Sequence, residues 1–296
     1  VAGSKKHSIG MRPSGPTPGS HPGVPRLNQT EYRNVIRDLL DLDVDVSAWI
    51  PADAPDRFGF DNNAGALSLS PALFERYVSA SRKIARLAIG SPPAGGTVID
   101  TYEVPLNLVQ NNQQSEELPF GSRGGMAIRH HFPVDGEYLI KIGLRTNYVG
   151  YVRGIDQAHD VEIRLDGRRI RTFTVGGDAP GLPAPISYAG NIRGDEEWET
   201  YSQTADDHLE LRVVVEAGPH TLGVTFPRET WEEEGVLQPR QTGFALAVDD
   251  MPDANPALDN VRISGPFTVE GRGDTPTRRR VFTCTPSDES EFEPCA

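Results

Sequence analysis

Side chains from about residue 98 onward take turns, apolar then polar, and this period of two fixes much of what the chain can fold into. In "VEIRL" (161–165), Val161, Ile163 and Leu165 share one face, while Glu162 and Arg164 share the other. Asp166-Gly167 follows, the dipeptide of a tight hairpin turn, and leads into "RRIRTFTV". "HLELRVVVEAGPHTLGVTF" repeats the design. Leu209, Leu211, Val213 and Val215 alternate, "EAGPH" turns the chain, and Leu222, Val224 and Phe226 alternate back. "LDNVRISGPF" supplies a last short strand. Short alternating strands separated by turn signals predict an antiparallel β-sandwich over residues 97–270. The 30 glycines and 25 prolines, nearly a fifth of the 296 residues, agree with many turns and short strands.

Upstream the period changes to 3.6. Tyr32, Val35, Ile36, Leu39 and Leu40 fall on one helix face, with Asn28 and Glu31 spaced as a capping box. A second helix opens at "SPALFERY". Ser70 is its cap, Pro71 takes the first turn, Phe74, Tyr77, Val78, Ile84 and Leu87 form the stripe, and Gly90 ends it. Between the helices, an Asp/Asn/Gly-rich connector carries Phe58 and Phe60 as expected anchors. Its spacing does not fit an EF-hand. The predicted class is therefore α+β: a flexible arm (1–25), a small helical unit (26–92), a jelly-roll-like antiparallel sandwich (97–270) and a C-terminal linker (271–296).

The formal charge of −13 disfavours nucleic acid and anionic membranes as partners. Two arginine clusters, Arg168/Arg169/Arg171 and Arg278–Arg280, read as solvated edges and linker. No apolar run is long enough to span a bilayer. Cys284 and Cys295 suit a small disulfide loop, which would contribute roughly 2–3 kcal/mol and points to an oxidising compartment, that is, a secreted, periplasmic or cell-surface protein.

"MAIRHHFPVDGEYLIKIGL" (126–144) sets His130 beside His131 and invites a metal site. Strand geometry argues against it, because neighbours point to opposite faces. Ile128, His130 and Phe132 share one face, so His130 reads as a core histidine. Nucleophile elbows, HExxH, Walker loops and dinucleotide fingerprints do not occur. "GDEEWETY" (194–201) reads as an acidic loop carrying Trp198 and Tyr201, and "FPRETWEEEG" carries Trp231 beside glutamates. Such rings can stack on pyranose faces while carboxylates accept hydroxyl hydrogens, so these three residues are the candidate ligand-binding set.

Two resemblances follow. "RLNQTEYRNVIRDLLDLD", "FGFDNNAGALSLSPALFERYVSASRKIA" and "RRRVFTCTPSDESEFEPCA" resemble the N-terminal part of large secreted planctomycete-type cytochrome c-associated proteins. In that family the chain continues past the last cysteine into further domains, which implies downstream partner domains for this segment. No CxxCH motif occurs, so no haem is carried over. The β region, through "TYEVPL", "FPVDGEYLIKIGL", "VEIRLDGRRI", "VVVEAGPHTLGVTF" and "ALDNVRIS", is similar to galactose-binding-like carbohydrate-binding modules. That likeness implies a structural Ca²⁺ joining Glu103 to Asp259, although "TYEVP" matches only loosely and a long insert interrupts the middle. Together these expectations describe a non-catalytic secreted module for a polysaccharide or glycan. A sugar-free docking segment and a fragment of a glycan-active enzyme are the rivals.

Overall fold

The computed structural model describes residues 26–296 except 56–58, 63–66, 94–95, 148–149, 156, 184–193, 228–254, 285–287 and 296. The first 25 residues, read as an arm, lie outside that set, as do Phe58 and Trp231.

Helix α1 (Gln29–Leu40) starts as its sequence requires. Asn28 accepts from the Glu31 amide at 2.7 Å, and Glu31 accepts from the Asn28 amide at 2.9 Å. Helix α2 (Pro71–Ile89) is capped by Ser70 and closed by Gly90 in the left-handed region. Their shared core is narrower than the expected stripe. Tyr32, Ile36 and Leu40 face inward with Ile84 and Leu87, whereas Val35, Leu39 and Phe74 are exposed. The missing core residues come from the segment after α1, where Leu42, Val44 and Val46 are buried between exposed aspartates. Phe60 is exposed and does not anchor its loop.

The β region is a two-sheet sandwich. Its strands are β1 (Val98–Glu103), β2 (Ser122–Phe132), β3 (Asp135–Leu144), β4 (His159–Leu165), β5 (Arg168–Val175), β6 (Glu210–Val215), β7 (Gly218–Pro227), β8 (Leu258–Gly265) and the short β9 (Val269–Gly271). One sheet runs β1-β8-β3-β6, with β9 added on β3, and the other runs β2-β7-β4-β5. Every named pair is antiparallel, and this interleaved order is that of a jelly roll. Phe132, Tyr138, Ile140, Ile142, Val161, Ile163, Leu222, Val224, Val261 and Ile263 fill the space between the sheets.

Three turn signals resolve into two kinds of joint. Asp166-Gly167 is the expected hairpin: Leu165 pairs with Arg168, and both turn residues have positive φ, 50° and 77°. The "EAGPH" turn is different, since β6 pairs with β3 while β7 pairs with β2 and β4. The chain crosses from one sheet to the other there, so the alternation on both sides continues without a hairpin. The Asp135-Gly136 dipeptide, a turn signal within "FPVDGEYLIKIGL", marks a crossing too, between β2 and β3. Gly136 is needed there for closeness, because a Cβ would lie 2.2 Å from the Thr268 carbonyl oxygen.

After β9, the segment read as a linker forms helix α4 (Pro276–Val281), which packs on α1 and α2. Farther on, helix α5 (Phe292–Cys295) ends at Cys295, which is joined to Cys284 as expected.

Candidate functional site

Strand order makes the two rims of the sandwich unequal. At one rim the joints are short: residues 133–134, 166–167, 216–217 and 266–268. Strand ends at the other are joined by the long connections 104–121, 145–158, 176–209 and 228–257, within which 148–149, 156, 184–193 and 228–254 are not described. Recognition surfaces of a rigid sandwich sit on such loops. The long-loop rim is therefore the candidate site.

This rim is held by buried polar side chains. Gln110 is fully buried; it donates to the Leu258 carbonyl at 2.7 Å and accepts from the Leu258 and Gly125 amides, each at 3.0 Å. Arg145 donates to the carbonyls of Leu108 and Pro105 and so ties the 104–121 connection to the end of β3. Buried hydrogen bonds of this kind hold a loop in one conformation.

The acidic run around Trp198 is a helix, α3 (Glu196–Thr204), and this corrects the loop reading. Asp195 is its N-cap, accepting from the Trp198 amide at 3.0 Å, and three glutamates occupy its first turn, where the helix dipole favours negative charge. These were the sequence signals for the helix. Trp198 and Tyr201 fall three residues apart and take different roles. Tyr201 packs against the sandwich core, and burial pushes its hydroxyl pKa up. Trp198 is half-buried and meets Tyr151 edge-to-face with ring centroids 5.1 Å apart. Glu199 holds Tyr151: one carboxylate oxygen accepts from the Tyr151 hydroxyl at 2.6 Å, and the other accepts from the Gly194 amide at 2.8 Å. The Ser202 carbonyl accepts from the Val152 amide at 2.7 Å, completing the seam between α3 and the 145–158 connection. Tyr151 had no periodic or motif signal, and only the folded arrangement brings it to Trp198.

Along the same rim a pocket of about 200 Å³ is lined by Arg123, Ala158, His159, Asp160, Phe226 and Pro227. Arg123 lies over the Phe226 ring, 4.7 Å from its centroid, and donates to the Pro256 carbonyl at 2.8 Å. Burial and then the Arg123 charge push the His159 pKa down to about 4. Neither Arg123 nor His159 stood out in the sequence.

The histidine pair behaves as the pleat requires. His130 faces inward, and its Nδ1 is 2.8 Å from the Tyr102 hydroxyl, a bond that joins the outermost strands of the two sheets. His131 points to the other face. Among the described residues, no group of three or more His, Cys, Asp or Glu side chains is placed to hold a metal ion. Glu103 is exposed and pairs across the ladder with Asn260, one rung from Asp259, whose carboxylate accepts from the Asn260 side-chain Nδ2 at 2.9 Å. Calcium takes six to eight oxygens. Two carboxylates are too few, so further ligands would have to come from backbone carbonyls or from residues outside those described.

Comparison with known proteins adds the following. Residues 26–90, the helical unit, match a family described as PSD3, a protein of unknown function (DUF1587). No curated protein matches. Solved structures to which the chain is similar include a CBM35 from Cellvibrio japonicus Abf62, at 10% identity and TM-score 0.28, covering 60% of this chain and 99% of that one. A family 35 carbohydrate binding module from Clostridium thermocellum is also similar, at 10% identity and TM-score 0.24, covering 58% of this chain and 94% of the other.

Proposed function

We propose that the sandwich is a non-catalytic module that binds a polysaccharide or glycan at its long-loop rim, with Trp198 and Tyr151 as the contact surface. The observation that carries this reading is the Trp198–Tyr151–Glu199 unit. Two half-exposed rings meet edge-to-face, and one of them, Tyr151, is held by the Glu199 carboxylate on the rim that carries the long connections. Ring faces of this kind pack against the C–H faces of sugars with little entropy to lose, because they are already fixed. Tyr201 packs against the sandwich core, and Trp231, which lies outside the described residues, stays a candidate contact. One such site gives dissociation constants on the order of micromolar to millimolar.

The test is retention on a panel of insoluble polysaccharides and soluble glycan arrays. The native protein is expected to be retained on at least one, and Trp198→Ala to weaken retention by at least about tenfold, about 1.4 kcal/mol. No retention of the native protein on any glycan overturns the reading. Structural calcium at Glu103 and Asp259 is a separate proposal. Added Ca²⁺ should raise the melting temperature of the native protein and not that of Asp259→Asn.

A docking role is favoured by a different observation on the same rim: Phe120 is fully exposed, and Leu106 and Leu182 are largely so. Under that reading the apolar rim packs on downstream domains of a planctomycete-type cytochrome c-associated parent, and Phe120→Ser abolishes that association without touching sugar retention. We place the protein in an extracytoplasmic compartment on the strength of the Cys284–Cys295 bridge. None of the described helices is long and apolar enough to cross a membrane.

A further inference from the structure

We infer that the helical unit is a discontinuous domain, made of residues 26–90 together with helix α4, into which the β-sandwich is inserted. The last carbonyls of a helix have no partner within it, and they carry the negative end of its dipole. In this protein α4 supplies partners to the ends of both α1 and α2. The Arg280 guanidinium donates to the carbonyls of Asp38 at 2.8 Å and Leu39 at 3.2 Å. The Thr277 hydroxyl donates to the Asp41 carbonyl at 3.0 Å, and Arg278 donates to the carbonyl of Ile89, the last residue of α2. Thr277 is only 2% exposed, so its hydroxyl is spent inside this joint.

The two chain crossings between the helical unit and the sandwich also lie against each other. A Cβ on Gly90 would sit 2.2 Å from the Arg272 carbonyl oxygen, so the chain leaves α2 in direct contact with the segment returning from β9. Both crossings emerge at the short-turn rim, with β1 starting and β9 ending there. An inserted domain has this signature: its two ends are adjacent, and the host closes behind it. The family match ends at residue 90, so the segment that completes the host lies outside it.

The arrangement separates two roles. Partners of the helical unit meet a surface that includes α4, while the long-loop rim at the far end of the insert stays open. A passive tail resting on the helices would look similar in outline but would leave their exchange behaviour unchanged when its side chains are removed. Hydrogen exchange by mass spectrometry on the full chain distinguishes the two. In the double variant Arg278→Ala/Arg280→Ala, peptides ending α1 (33–41) and α2 (83–90) are expected to exchange at least about tenfold faster, with peptides from β3 and β8 unchanged. Arg279→Ala is the control, since the Arg279 side chain pairs with Asp274 on the exposed side of α4; it should change nothing in α1 or α2. If the double variant does not fold, Arg280→Ala alone should accelerate exchange in 33–41 only. Unchanged exchange at both helix ends, or acceleration spread evenly through the sandwich, overturns the inference.

Discussion

His131 has both ring nitrogens buried and no hydrogen-bond partner, an arrangement only a neutral imidazole tolerates. His130 and His159 are also held neutral. Burial is the first cause in all three, and each pKa is pushed from 6.5 down to about 4. The sign of the linkage follows. Between pH 6.5 and 4 the unfolded chain binds protons that the folded chain refuses, so stability is full above about 6.5 and declines as pH falls toward 4. Chemical denaturation at pH 7.5 and pH 5 should show a clear loss at the lower value. His131→Leu, which removes one titrating group and leaves no bond broken, should shrink that loss; an unchanged difference between the two pH values refutes the assignment. At this scale His130 was legible, because alternation alone put it on the core face with Ile128 and Phe132. The depressed titration of His159 was not, since it depends first on burial and then on the charge of Arg123, which is distant in sequence and close only after folding.

At the scale of elements, glycines separate what a dipeptide can reveal from what it cannot. Asp-Gly occurs at 166–167 and at 135–136, and the sequence marks both alike. The first is a two-residue hairpin whose Gly167 has a positive φ and open space where a Cβ would go. Gly167→Ala therefore carries only the backbone cost, about 1 kcal/mol. The second sits at a sheet crossing, where Gly136 gives way to the Thr268 carbonyl. Gly136→Ala must displace backbone, and we expect it to cost at least twice as much, or to prevent folding. Equal urea midpoints for the two variants would remove the distinction. The same limit explains "EAGPH": a local turn signal states that the chain reverses, and only strand pairing decides whether it stays in its sheet. Helix α3 was legible in principle, through Asp195 and the glutamates behind it. Its acidity was read as solvation because that helix takes little of its stability from an apolar stripe.

For the whole molecule, period-two patterning was enough to call two sheets over one core, because every buried strand residue had to satisfy it. The jelly-roll order was not readable, since it depends on pairings such as β3 with β8 that are far apart in sequence. The site was legible in its chemistry and not in its assembly: Trp198 and Tyr201 were nameable as rings beside acids, but Tyr151 joins them only across two connections. This division of labour carries a last prediction. The sandwich core from Val104 to Ile263 is contiguous and owes none of its buried residues to α1, α2 or α4. A fragment spanning 98–271 should fold cooperatively by itself, and it should keep whatever glycan retention the full chain has. Thermal melting of the fragment followed by near-ultraviolet circular dichroism, with retention measured in parallel, tests both halves. A fragment that melts without cooperativity would mean that host and insert stabilise each other far more than their separate cores imply, and a folded fragment without retention would move the binding surface off the rim.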